Sequence, residues 1–344
     1  MRKSLLLLGV AVAALASCTQ NEVVDIAESN VIKFDNAFVG NATKATAPEI
    51  TKGNISDIYV FAQNAASEAG PGENVFENKH VYKTTAGEWS YDDLVKWDNT
   101  TKTYYKFAAY AGKELTKTAN VSFDWNSGLL SFQDLTIDGD SQYDLLANST
   151  AVTDETTAGR PKIQFTLNHL LSMVQFTLKS GFGETCKVKI EEFKFYGLKT
   201  QGGCSFSSAW NWTLSGNDVT KDDTNFEGAG GDAKAVAASS TESTATDVVE
   251  SWVVIPQAIQ GSGASDPKQM VSFKATVFDG EERLAQKTLT ASLPVITWKP
   301  GFRYNYIFTI DIDIMDLADD YITFEAPQVT DWDKTTDIDN GTLR

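Results

Sequence analysis

The chain has 344 residues, with 29 lysines and arginines against 46 aspartates and glutamates, so its formal net charge is -17. A surface this acidic repels nucleic acid and anionic lipid headgroups, because both carry negative charge. Composition therefore excludes no fold, but it argues against nucleic-acid binding and against peripheral attachment to a membrane. The length is enough for two domains.

Residues 1–18 have the pattern of a lipoprotein signal. Two basic residues precede an apolar run at 5–15, and small residues then lead to Cys18. The basic end stays on the cytosolic side while the apolar run enters the bilayer. The run is shorter than the ~20 residues of a spanning helix. We expect residues 1–17 to be removed and Cys18 to carry lipid, which predicts an outer-membrane lipoprotein at the cell surface.

Beyond the signal, apolar and polar residues alternate with the period of a β-strand. The runs with this character lie at 58–62, 104–110, 162–167, 173–178, 188–196, 249–255 and 271–278, and the longest, at 302–314, places seven apolar side chains on one face. Turn residues such as Asp279-Gly280 separate them. This organisation is typical of antiparallel β-sandwiches.

Two polar stretches interrupt the strand pattern. Residues 153–159 lie near the midpoint and are the candidate boundary between an N-terminal sandwich at 45–158 and a C-terminal sandwich at 159–344. Residues 227–247 are rich in Gly, Ala, Ser and Thr and are expected to form an exposed loop.

The cysteines left after lipidation, Cys186 and Cys204, can form a disulfide outside the inner membrane or remain two buried thiols. The sequence leaves both alternatives open. No C-x-x-C motif or Cys/His cluster accompanies them, and the acids Asp138, Asp140 and Asp144 lack the spacing of a calcium loop. We expect no metal and no cofactor.

The usual catalytic motifs are missing from the sequence, including the nucleophile elbow, the P-loop and H-E-x-x-H. The adjacent acids Glu191 and Glu192 point to opposite faces of a strand unless the backbone bends. We therefore expect no enzyme. Tryptophans such as Trp97 and Trp212 can stack on sugars, which keeps a surface glycan-binding lipoprotein as the alternative function, or they can fill the core.

Several short patterns follow one another over nearly the whole mature chain. They are a strand at 31–39 ending in Gly40-Asn41-Ala42-Thr43-Lys44-Ala45; Tyr143-Asp144-Leu145-Leu146-Ala147; Phe165 with Asn168-His169-Leu170-Leu171-Ser172; and Trp298-Lys299-Pro300-Gly301 with Tyr304 and Tyr306. In this order, after the lipobox, they resemble the fimbrillin family, the subunits of type V pili and their accessory proteins in anaerobic Gram-negative bacteria.

The resemblance implies an all-β chain of two transthyretin-like antiparallel β-sandwich domains. It also implies that residues 18–44 form a lipidated leader with a removable first strand, in which Ile32, Phe34 and Phe38 face the core. His169 is then structural, buried and hydrogen-bonded.

For assembly, the resemblance implies strand exchange between subunits. A trypsin-like protease cutting between Lys44 and Ala45 would detach the first strand and leave an open sheet edge. The tail of another subunit, at 321–344, would fill it with Ile322, Phe324, Val329 and Trp332. Donor and groove are different surfaces, so the partners are other pilin subunits in a heterologous polymer.

The family pattern is not matched everywhere. Shaft subunits are typically cut after arginine, yet no arginine lies between residues 3 and 160. An uncut subunit that keeps its lipid, acting as an anchor or accessory protein, is therefore the other role that the resemblance allows.

Overall fold

The computed structural model describes residues 30–35, 37–39, 50, 54–112, 116, 120–139, 142–155, 160–182, 185–216, 224–227, 234–237, 246–260, 269–316, 321–324 and 326–332. The signal, Cys18, Lys44 and Ala45 lie outside these residues. The regular secondary structure of the described part is almost entirely β-strand, which confirms the predicted all-β class. None of its helices has the length and apolar character needed to span a bilayer.

The described elements, in chain order, are β1 (Phe38–Val39), β2 (Asp57–Ala65), β3 (Glu73–Lys83), β4 (Trp89–Ser90), β5 (Tyr104–Ala111), β6 (Asn120–Asp124), β7 (Leu129–Thr136), β8 (Leu146–Asn148), β9 (Val152–Asp154), β10 (Thr166–His169), β11 (Ser172–Ser180), β12 (Cys186–Tyr196), β13 (Gln201–Phe206), β14 (Trp210–Ser215), β15 (Thr224–Glu227), β16 (Lys234–Ala237), β17 (Thr246–Val254), β18 (Ala258–Ile259), β19 (Met270–Asp279), β20 (Glu282–Ser292), β21 (Ile296–Thr297), β22 (Phe302–Ile310), α1 (Ile312–Asp316), β23 (Tyr321–Thr323) and β24 (Gln328–Asp331).

The first sheet has the strand order β1-β10-β8-β5-β2-β3-β4, with β9 also paired to β5. Its pairs are antiparallel except β1 with β10. All eight residues of β5 are buried, because both faces of this central strand are covered. The sheet takes its strand β10 from residues beyond the predicted boundary at 158.

Two further sheets pack face to face over what we call the second core. One has the order β17-β11-β22-β24, and the other has the order β15-β12-β19-β20-β23 with β16 also paired to β12. Their facing side chains include Phe176 and Tyr306 from the first of these sheets and Phe195 and Phe273 from the other. Strands β11 and β22 are parallel neighbours although more than a hundred residues separate them, so this sandwich forms only when distant segments meet.

A fourth sheet joins the two halves of the chain, with the order β14-β13-β7-β6. Its centre is the pairing of β13 with β7, where Cys204 lies opposite Phe132. A Cβ at Gly203 would approach the Phe132 carbonyl oxygen to 2.6 Å, so only glycine fits at this junction. The sheet covers one face of the first sheet and buries Tyr110 and Phe132 in what we call the junction core. A short fifth pair joins β18 and β21.

Four predictions of secondary structure differ from the structure. The strand expected at 31–39 is present only at Phe38–Val39, with isolated bridges at Val31 and Phe34. The run at 302–314 stops at Ile310, because the Asp311 carboxylate accepts the Ile314 N–H at 2.9 Å and caps α1. The run at 162–167 becomes a strand only from Thr166 onward. The expected loop at 227–247 contains β16, which pairs with Lys187 to Ile190 of β12.

Candidate functional site

The front segment, residues 30–39, places apolar side chains in what we call the first core, on the inner face of the first sheet. Ile32 and Phe34 are 0% and 2% exposed. The Phe34 ring lies 5.6 Å from Tyr91 and 5.9 Å from Phe76 between ring centroids. Burying one such side chain contributes about 1.5–3 kcal/mol. Ile32 and Phe34 thus face inward, while the side chain of Phe38 lies outside what the structure describes, and removal of the segment stays a prediction.

The front segment forms backbone hydrogen bonds on both of its sides. On one side the Ile32 N–H donates to the Val95 carbonyl at 2.9 Å and the Trp97 N–H donates to Asn30 at 3.0 Å. On the other side, Ile163 exchanges two bonds of 2.8 Å with Lys33 and Asp35. Residues 30–35 therefore lie between the chain at 95–97 and the chain at 163, and β1, which follows them, is an end strand of the first sheet.

Tyr91 fixes the front segment from the core side. Its hydroxyl donates to the Ile32 carbonyl at 2.8 Å. Burial raises the pKa of Tyr91 above its ordinary value, and a hydrogen bond that the Val95 N–H donates to the phenol oxygen opposes this only in part. The phenol therefore stays neutral and keeps the proton that it donates.

Arg160, the first arginine after the signal, is packed against the body of the protein. Its side chain is 3% exposed, and its guanidinium lies 4.2 Å above the Trp97 ring and bonds the Thr103 carbonyl at 3.2 Å. A protease that cuts after exposed arginines finds no substrate here. Lys33, within the front segment, is exposed.

The predicted donor residues lie in what we call the tail, residues 321–332. In the tail, β23 pairs with β20 and β24 pairs with β22, so each tail strand has one neighbour and ends its sheet. Ile322, Phe324 and Trp332 are buried in the protein's own cores, whereas Val329 is 45% exposed. The rest of the predicted donor, 333–344, lies outside the described residues.

His169 connects the tail to the first sheet. It is 4% exposed, as predicted for a structural histidine, and its Nδ1 lies 2.9 Å from Asp144 Oδ2. The Trp332 ring stacks on it with centroids 4.7 Å apart and planes 3° from parallel. Asp144 also accepts the N–H groups of Ile50 and Leu145, at 2.9 and 2.8 Å. Sequence reasoning considered Asp144 only as one of three acids whose spacing does not fit a calcium loop, and it missed the pairing with His169.

Both cysteines are free thiols, so the disulfide between Cys186 and Cys204 is not formed. The reason is their placement in different sheets. Cys204 is buried in the junction core, where burial strongly raises the pKa of its thiol, while Cys186 packs at the margin of the second core.

The tryptophans named for the glycan alternative take part in packing. Trp97 is 6% exposed and lies edge-on to Tyr105, with Arg160 on its face. Trp212 is half-buried against the junction core, and its Nε1–H donates to the Leu170 carbonyl at 2.7 Å. Neither residue is a fully exposed aromatic platform.

The acids Glu191 and Glu192 do meet, contrary to the expectation for a regular strand. A β-bulge in β12 gives Glu192 a φ of 53°, and Lys274 Nζ then lies 3.7 Å from Glu191 and 2.6 Å from Glu192. Both carboxylates share Lys274 at the surface, so we assign the pair of glutamates no chemical role. Within the described residues, no group of three or more His, Cys, Asp or Glu side chains is placed to hold a metal ion.

Among solved structures, a fimbrial protein from Bacteroides vulgatus has 17% sequence identity to this chain and a TM-score of 0.60, with 88% of this chain and 99% of that chain covered. Two proteins named for cell adhesion, from Bacteroides ovatus and Bacteroides uniformis, are 17% and 13% identical over 88% of this chain and 96% and 97% of theirs, with TM-scores of 0.46 and 0.45. A comparison with curated proteins gives no match.

The likeness to the Bacteroides vulgatus protein shows a common fold and, at this identity, no more than that. A fimbrillin-like family matches residues 43–332, from just before the predicted cut to the last described residue of the tail. This confirms the resemblance seen in the sequence motifs. The chain belongs to the fimbrillin-like family.

Proposed function

We propose that the protein is a pilus-type adhesion subunit that is exported as a lipoprotein on Cys18 and assembled by protease-triggered donor-strand exchange. The observation that carries the proposal is the position of the front segment, which is hydrogen-bonded between the chain at 95–97 and Ile163 and fills part of the first core. Membership of the fimbrillin-like family and the fold shared with a fimbrial protein support a structural role at the cell surface.

In the proposed mechanism, a cut between Lys44 and Ala45 separates the front segment from the rest of the protein. Only hydrogen bonds and apolar contacts then hold the segment. When it leaves, the backbone groups of Val95, Trp97 and Ile163 lose their partners, and the site of the Phe34 ring becomes empty. Unpaired strand edges and uncovered apolar surface are unfavourable in water, so this gap favours entry of another strand.

The incoming strand in this proposal is the tail of another subunit, carrying Ile322, Phe324, Val329 and Trp332. In the free subunit most of these side chains pack in the protein's own cores, so donation first requires the tail to detach. Its strands have one paired edge each, which lowers the cost of detachment relative to a central strand. Because groove and donor are different surfaces, repeated exchange gives a fibre and not a closed ring.

The test is to identify the first residue of protein sheared from the cell surface and to ask whether that material is polymeric. We expect an N-terminus at Ala45 and a ladder of oligomers that survives mild detergent. The Lys44→Ala variant should remain monomeric and lipidated, while Lys33→Ala, at an exposed lysine of the front segment, should assemble as the wild type does.

Polymer from the Lys44→Ala variant, or wild-type polymer that still carries the front segment, would overturn this mechanism. Wild-type protein recovered only as a lipidated monomer would assign the protein to the anchor or accessory role instead.

A further inference from the structure

The protein has two histidines, and each one binds an aspartate and stacks on an aromatic ring. His80 lies near the surface, 2.6 Å from Asp57 and stacked on Tyr59 with centroids 5.0 Å apart. His169 makes the same pair of contacts in the interior, with Asp144 and Trp332. The interior pair differs in that its aspartate also binds a third part of the chain.

That third part is Ile50, which follows the predicted cut at Lys44 by a few residues. Its N–H donates to Asp144 Oδ2 at 2.9 Å. The contacts therefore run without a gap from the Ile50 backbone to the Asp144 carboxylate, from the carboxylate to the His169 ring, and from the ring to Trp332. They connect the chain after the cut with the tail at the other end of the sequence.

We propose that Asp144 and His169 couple the chain at Ile50 to the docked tail, so that loosening either end weakens the hold on the other. The inference rests on the proposed function only for its biological purpose. The two regions that it couples are the chain after the proposed cut and the proposed donor tail. His169 acts in it as a positioning residue for Trp332.

The coupling follows from the burial of the carboxylate. Asp144 is 1% exposed, and a buried carboxylate is tolerated only with hydrogen-bond donors around it. Removing the Ile50 N–H takes away one of the hydrogen-bond donors to Asp144, so the carboxylate is less well stabilised and its bond to the His169 ring changes. The Asp144 bond sets the orientation of the imidazole, and parallel stacking with Trp332 requires that orientation.

Other contacts of the tail explain why loss of the coupling should weaken the docking of the tail without releasing it completely. The Trp332 N–H donates to the Gly301 carbonyl at 2.7 Å, and Arg303 Nη2 lies 3.4 Å from the Trp332 carbonyl. These bonds hold the backbone independently of the side-chain stack. Loss of the His169 contact should therefore raise the frequency of tail opening without unfolding the protein.

The experiment is amide hydrogen exchange on the full, uncut protein, read at β24 and at the peptide containing Ile50. We expect Asp144→Asn and His169→Phe each to speed exchange of β24 about tenfold, which corresponds to about 1.4 kcal/mol. His169→Phe keeps a flat ring against Trp332 but cannot bond Asp144. Exchange of β24 at the wild-type rate in this variant would show that stacking alone holds the tail, and would overturn the proposal.

The coupling should also act in the reverse direction, from the tail to Ile50, which a merely structural role of His169 would not produce. Trp332→Ala should speed exchange at Ile50, because coupling between two sites acts in both directions. An unchanged rate at Ile50 contradicts the coupling. The matched control is Asp57→Asn in the surface pair, which should change neither region.

A second measurement leaves the core residues unchanged, in case a core variant does not fold. Protein cut only between Lys44 and Ala45, at a protease recognition site introduced there, should show faster exchange of β24 than the same protein uncut, while the front segment is still bound. Equal rates would overturn the coupling. Failure to polymerise after the cut, with β24 loosened, would instead count against the proposed function alone.

Discussion

The front segment and the tail both insert apolar side chains into the body of the protein, but they are held in different ways. Residues 30–35 of the front segment have backbone partners on both sides, at Val95 to Trp97 and at Ile163, and only β1 after them is an end strand. The tail strands β23 and β24 each have one partner and end their sheets. A strand bonded on two sides leaves only when its sheet opens, whereas an end strand can open locally. The difference fits the proposed mechanism, in which the front segment leaves only after a cut and the tail detaches intact.

The largest effect should come from Phe34→Ala. Removing this ring from contact with Tyr91 and Phe76 leaves a cavity that the doubly bonded segment cannot close, so we expect a loss of about 3–5 kcal/mol in the free energy of unfolding. Urea unfolding of the uncut protein measures it. Lys33→Ala, at the exposed neighbouring position, should stay within about 0.5 kcal/mol. A loss below about 1 kcal/mol for Phe34→Ala would mean that the segment is loosely held.

A smaller global effect is expected for Phe324→Ala in the tail. Phe324 contacts Phe176 and Tyr306 at ring distances of 5.8 and 5.7 Å, but its strand region can detach from the sheet end. We expect about 2–3 kcal/mol, near the lower end for such truncations, with faster amide exchange in β23. A loss as large as that of Phe34→Ala, without faster local exchange, would remove the contrast between the two ends.

Tyr91→Phe tests the polar contact of the front segment. Losing the bond to the Ile32 carbonyl should cost about 0.5–1.5 kcal/mol at neutral pH. Since the folded-state pKa of Tyr91 is raised, its contribution is complete below the unfolded value near 10 and is lost as the pH rises above it. The stability difference between wild type and variant should therefore shrink in alkaline solution. A difference that grows above pH 10 would contradict this assignment.

The smallest effect is expected for Val329→Ala. This residue is 45% exposed, so its truncation should change the unfolding free energy by less than about 0.5 kcal/mol, as measured by thermal or urea unfolding. The same variant should slow polymer growth if Val329 enters the groove of another subunit. Normal assembly by this variant would indicate that the other tail side chains carry the contact.

Local pattern predicted the strands well, because alternation reports directly which face of a strand is buried. The runs around Tyr105, Phe176 and Phe273 became strands whose apolar side chains lie in cores. Alternation cannot distinguish a strand from one turn of helix. The apolar pattern therefore predicts a strand over the whole run at 302–314, whereas the strand ends at Ile310 and the Asp311 cap begins α1.

Partners that are far apart in the sequence could not be predicted from it. Nothing local indicates that β13 pairs with β7, that the front segment reaches Val95 as well as Ile163, or that Asp144 receives Ile50 and His169 together. The motif around His169 suggested a buried, bonded histidine and the structure agrees, but its aspartate and tryptophan partners emerged only from the tertiary fold.

The pairing of β13 with β7 also determines when the fourth sheet can form during synthesis of the chain. When β7 leaves the ribosome, the strands that will extend its sheet have not been made, and at ~5–20 residues per second β14 follows only after several seconds. During that interval Phe132 can pack on Tyr110 but lacks its later partners Cys204 and Trp210. A fragment ending at residue 158 would lack these partners permanently and should aggregate, so we expect the halves of this chain to mature together.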